Sequence, residues 1–118
     1  MTAAHHDLCF GCGLANVFGL QFESRLEPDG SLAGRFFVKQ DHQGEPGVAH
    51  PGVIAAALHE ALALALGEHP RRVIVEHRAP APVGAFVEVT VRDGHARAVG
   101  ERGPVADARV QIDPPPSG

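Results

Sequence analysis

Between Pro51 and Gly67 the chain reads PGVIAAALHEALALALG, a helix-length run whose only strongly polar residues are His59 and Glu60. A helix without a polar face has to be surrounded, so the rest of the chain must wrap it. Burying an ionisable pair in that surround costs several kcal/mol unless each group is paired, neutralised or used. The sequence places that cost directly downstream of a histidine at the helix start. Chemistry is therefore expected there.

The remaining chain is just large enough to do the wrapping. At 118 residues it makes one domain, small for an active site walled on all sides. With no Trp or Tyr and only six Phe, the core must be built from Val, Leu, Ile and Ala. A net charge of −4 with no basic stripe argues against nucleic acid as a partner. No apolar run reaches the ~18–20 residues needed to span a bilayer. MTAAHHDLCFGCG lacks a basic stretch followed by an apolar one, so no signal peptide is expected. Two cysteines in CxxC spacing then fit a reducing cytoplasm.

Residues 1–18 read as an irregular segment. From Gly19 to Glu27 apolar and polar residues alternate, the period of a half-buried strand. Pro28-Asp29-Gly30 is a turn, and Ser31 to Lys39 completes a hairpin. Gly44, Pro46 and Gly47 keep the loop from Gln40 to Ala49 irregular. The helix starts at His50 or Pro51, proline suiting a first position whose N–H would be unpaired anyway. Gly67 stops it, with Pro70 following. Period-two patterns return at Arg72–Ala79, Ala85–Arg92, more weakly at His95–Glu101, and at Val105–Ile112. The tail from Asp113 to Gly118 is too rich in proline to pack, and disorder is expected there. The fold class is α+β: one domain over 1–112, an antiparallel sheet wrapped around one long central helix. Gly52, Ala56, His59 and Ala63 form a helix face of small residues that this sheet is not expected to cover. Association into a homodimer or homotetramer is the simplest remedy.

Four segments, CFGCGLANVFGL, the hairpin DG, HQGEPGVAHPGVIAAALHEA and VEHRAPAPVG, resemble the hotdog-fold acyl-CoA thioesterases of the phenylacetate-degradation (PaaI-like) type, within the 4-hydroxybenzoyl-CoA thioesterase-like superfamily. The likeness runs from about Cys9 to Ile112. Members usually read His-Gly-Gly at the helix start, with an acid nine positions after that histidine. Here the start is His50-Pro51-Gly52, and the acid's position holds His59, with Glu60 beside it.

The resemblance implies an acyl-CoA substrate and no metal or other cofactor. It implies that a helix N-terminal amide polarises the thioester carbonyl. Pro51 has no N–H, so Gly52 is the expected donor, with free amides and the helix dipole favouring an oxyanion. His50 then either orients substrate or only caps the helix. His59 is the expected general base, its reference pKa of about 6.5 suiting neutral pH. Glu60 is the alternative, pointing ~100° away around the helix. The competing reading makes His59 an inert core histidine and pairs Glu60 with Arg78 or Arg35. Gln43 and Gly44, in the family's His-Gln-Gly step, are expected against the substrate with Pro51. Arg71, Arg72 and Arg78 are candidates for the coenzyme A phosphates.

His5, His6, Cys9 and Cys12 lie close together in sequence. Structural zinc wants four ligands and usually a second matching pair, and no second CxxC exists. The expectation is a packed N-terminal loop, with a thiol–disulfide role as a further alternative. Two other functions share the fold. In acyl-thioester hydratases and dehydratases the helix also starts Pro-Gly-Val and a histidine stands upstream, as His42 does. Their helix acid falls about a turn earlier, where this chain has Ala57. A non-catalytic acyl- or CoA-binding hotdog protein is the other.

Overall fold

The structure, a computed structural model, describes residues 5–111; the expected tail over 113–118 lies outside them. Six strands and one long helix follow one another as β1 (Glu23–Leu26), β2 (Leu32–Phe37), α1 (Pro51–Leu66), β3 (Val73–His77), β4 (Phe86–Arg92), β5 (His95–Gly100) and β6 (Gly103–Val110). Every pairing is antiparallel, and the sheet order β1-β2-β4-β5-β6-β3 leaves β1 and β3 as its edges.

The turns are made where the sequence supplies left-handed backbone. Gly30 (φ 89°) closes the first hairpin, and Asp93-Gly94 (φ 52° and 73°) closes β4–β5. Gly67 (φ 82°) caps α1, its N–H donating to the Ala63 carbonyl. The first strand is shorter than its alternation suggests. Leu20 and Phe22 are buried, yet the N–H groups of both donate to the N-terminal segment, at the Phe10 and Gly11 carbonyls. Gln40–His42, expected to be irregular, is a single 3-10 turn.

The sheet wraps α1 as the apolar run requires. Ile54, Leu58, Ala61 and Leu62 pack with Phe22, Phe36, Val87 and Val89 in one core. Each fully buried Leu or Phe contributes about 1.5–3 kcal/mol relative to exposure. Ala96, Ala98, Ala106 and Ala108 on β5 and β6 are also buried in that core, and their small side chains let the helix lie close to the sheet. One expectation is corrected here. Of the small-residue face, Gly52 is exposed and Ala56 and His59 are half-buried, but Ala63 is fully buried within the chain itself. The uncovered part of this small-residue face is thus confined to Gly52, Ala56 and His59.

Candidate functional site

The loop before α1 folds back on the helix start. His50 N–H donates to the His42 carbonyl (2.8 Å), Gly44 N–H to Val48 (3.0 Å) and Ala49 N–H to Ala81 (2.8 Å). Gly44 passes so near His50 that a Cβ there would lie 2.9 Å from the His50 Cα, which is why this position holds glycine. Gln43 is spent on the loop: its Oε1 accepts from Gly47 N–H (2.8 Å) and Gln40 Nε2 (3.1 Å). His42 is buried, its Nδ1 accepting from Lys39 N–H, and burial holds its pKa below the usual imidazole value.

At the helix start His50 is the N-cap. Its Nδ1 accepts from Gly52 N–H at 2.8 Å, and its carbonyl accepts from Val53 N–H at 2.9 Å. Pro51 has no N–H, so the first-turn amides are satisfied within the chain. Both His50 and Gly52 are exposed, and the ring can turn away into solvent.

Beside this turn lies a cavity of about 500 Å³, lined by Val48, Ala49, Pro51 and Ile54 on one side and His77–Ala81 on the other. Its size is that of a small-molecule pocket, and most of its walls are apolar. Pro51 and Arg78 are the two expected substrate residues on it. The Arg78 guanidinium is engaged at the rim: Nε donates to Asp107, and Nη2 lies 3.7 Å from Glu76. A larger cavity of about 680 Å³ sits at the other end of α1, around Leu66, His69 and Arg71. That end carries the negative pole of the helix dipole, the wrong sign for an oxyanion, so the smaller cavity is the better candidate.

His59 and Glu60 diverge as their 100° separation requires. His59 is half-buried and stacks on His69 with ring centroids 5.6 Å apart. Glu60 is 6% exposed and turned into the N-terminal segment. Its Oε1 lies 2.7 Å from His5 Nδ1, and its two oxygens lie 3.8 and 3.6 Å from Cys9 Sγ. Cys12 Sγ is 3.4 Å from the same His5 nitrogen. Burial pushes the Cys12 thiol up to about 11. A Cβ on Gly11 would collide with the Glu60 carboxyl, so the loop closes tightly over this acid. The competing reading that paired Glu60 with Arg78 or Arg35 does not hold: Arg78 is held by Asp107, and Arg35 lies 4.3 Å over the Phe86 ring.

Sequence reasoning missed His5 and His69 as neighbours of the helix pair. His69 follows a helix-stop glycine and His5 stands fifty-five residues before Glu60, so no spacing signals either contact. The far cavity wall was signalled, since VEHRAPAPVG contains it.

A six-stranded antiparallel sheet around one long helix, with a loop folded onto that helix's first turn, is the hotdog fold. Solved structures share it. The chain is similar to a point mutant of the phenylacetic acid degradation protein PaaI from Thermus thermophilus, at 24% identity over 73% of this chain and 85% of that one, TM-score 0.63. Similar too are the TT0310 protein from the same organism (26% identity, 73% and 84% covered, TM-score 0.61) and smu.793 from Streptococcus mutans bound to acetyl CoA (15%, 75% and 84%, TM-score 0.65). The resemblance read from the residues and these neighbours thus agree on the hotdog fold. No family model and no curated relative matches the chain. Among the described residues no helix is long and apolar enough to cross a membrane.

Proposed function

We propose that this chain is a cytoplasmic acyl-CoA thioesterase working as a homodimer or homotetramer. The observation that carries the reading is the largely apolar cavity of about 500 Å³ beside the first turn of α1, lined there by Pro51 and Ile54 and large enough for an acyl group. An acyl-CoA ligand fits two of the neighbours, one described with coenzyme A and one with acetyl CoA.

In this reading the His50 ring leaves the Gly52 amide when substrate enters, and that N–H takes the thioester oxygen. The exchange is favourable on magnitudes. An N-cap side chain contributes about 0.5–2 kcal/mol, whereas one oxyanion donor is worth about 2.7–4 kcal/mol in the transition state. His59 removes a proton from water, whose oxygen bonds to the carbonyl carbon. The C–S bond then breaks, and the proton passes to the departing CoA sulfur. Gly52 and His59 stand seven residues or ~10 Å apart along one helix; by the dimer arrangement that the family resemblance implies, the two act from different subunits across a shared pocket. His50 is cap and gate, Pro51 and Arg78 are pocket wall, and Gln43 and Gly44 hold the loop.

The test is turnover of a panel of acyl-CoAs, followed by detection of the released thiol. Hydrolysis of at least one, saturating with substrate, is expected. Tight CoA binding without any turnover would replace this reading by the non-catalytic one, which the occupied Gly52 amide and the histidine in the acid's position favour.

A further inference from the structure

Four side chains that the proposed reaction does not use converge at the middle of α1. His5 Nδ1, Cys9 Sγ, Cys12 Sγ and a Glu60 carboxylate oxygen all lie within 4.8 Å of one another. We propose that these four residues form a structural zinc site that fastens the N-terminal segment to the central helix.

The distances fit one ion. Tetrahedral zinc with its usual bonds to sulfur, nitrogen and oxygen requires ligand atoms about 3.3–3.8 Å apart. Cys9 and Cys12 sulfurs lie 3.7 and 3.4 Å from His5 Nδ1, and Cys9 lies 3.8 Å from Glu60 Oε1, the oxygen that His5 contacts. The His5–Glu60 contact at 2.7 Å must open by about 0.6 Å, and the widest separation in the group, up to 4.8 Å, must close by about 1 Å, exchanging a hydrogen bond for two metal bonds. The donor set is soft to borderline: two sulfurs, one imidazole, one carboxylate. That set selects zinc over magnesium or calcium, whose shells are all oxygen. With all four positions filled by protein, no place is left for a reacting water, so the role is structural.

The surroundings are shaped for it. Cys9 and Cys12 sit on a tight turn, with Gly13 N–H donating to the Cys9 carbonyl (2.8 Å). The His5 backbone N–H points at Cys12 Sγ (3.1 Å), a bond that supports a thiolate. Gly11 and Gly13 are both positions where a Cβ would strike a neighbour: at Gly11 the Glu60 carboxyl, at Gly13 the Asp7 and Cys9 backbone. The His5 ring rests 5.0 Å from the His69 ring, fixing its approach. The absent second CxxC is answered by the helix: Glu60 supplies the ligand that a matching pair would otherwise give.

The experiment is metal loading of the full chain, purified reduced, stripped with a chelator and checked for folding by circular dichroism. Titration with cobalt(II) is expected to give one equivalent per chain and the intense sulfur-to-metal absorption of tetrahedral thiolate coordination, displaced by zinc. Cys9→Ser should lose most of that absorption, and His5→Ala should weaken loading at least tenfold, while the neighbouring His6→Ala should match the parent. Cys9 is only half-buried, so its variant stays informative should Cys12→Ser not fold. The proposal is overturned if the folded, reduced parent takes up neither metal, or if Cys9→Ser retains the full absorption. Loading is independent of turnover, so failure of the thioesterase reading leaves this result standing.

Discussion

The Nδ1 atom of His50 and the amide of Gly52 are hydrogen-bonded at 2.8 Å, so the helix start holds a built-in competitor for any carbonyl that approaches it. Removing the competitor and removing the donor should have opposite signatures. His50→Ala should lower stability by about 0.5–2 kcal/mol in urea unfolding while leaving kcat within about tenfold. Gly52→Pro, which deletes the N–H at a position where proline fits the first turn, should lower kcat by about 10²–10³. Equal kcat losses in the two variants would assign the carbonyl to the histidine instead.

His59→Ala should reduce kcat by about 10²–10⁴, the usual worth of general base catalysis. Because His59 stacks on His69 rather than lining the cavity wall, KM should move little. A variant whose KM rises while kcat holds would make His59 a substrate contact.

Acid should loosen the fold through Asp107. Hydrogen bonds from the Arg78 guanidinium, then from Arg97 and His95, hold its carboxyl at about 2. The folded value is below the unfolded one near 3.9, so the stabilisation is complete above about pH 5 and is lost as pH falls toward 2. Urea midpoints should therefore drop steeply from pH 5 to pH 3, and Asp107→Asn should flatten that limb. An unchanged slope in the variant would place the acid sensitivity elsewhere.

Sedimentation should show a dimer or larger species at micromolar concentration. Among the described residues β1 and β3 are the edges of the sheet, and an open edge invites a second one. The N-terminal segment adds apolar surface, with Phe18 at 76% and Leu8 at 66% exposure. A stable monomer would also remove the route by which Gly52 and His59 act on one thioester.

Much of this was legible in the residues. The buried helix, its proline start and glycine stop, and the strands after it follow from periodicity and turn chemistry, since each depends on neighbours within a few positions. The short first strand did not: Leu20 and Phe22 alternate correctly, but their amides are taken by Phe10 and Gly11, a tertiary competition invisible to a local pattern. At the site, the expected residues divide by the range of their contacts. His50, Pro51 and Gly52 were legible because capping is local. Gln43 stood in the right loop, yet its amide is consumed by Gly47. The partner of Glu60 was not legible: charge complementarity offered an arginine as one alternative, while the chain path delivers His5.

The contact between His5 and Glu60 joins positions fifty-five residues apart. During synthesis at about 5–20 residues per second, His5 leads Glu60 by roughly 3–11 s. The segment from His5 to Cys12, with both thiols, must wait that long for the surface it belongs on. Its three side chains thus leave the ribosome well before the helix that holds them.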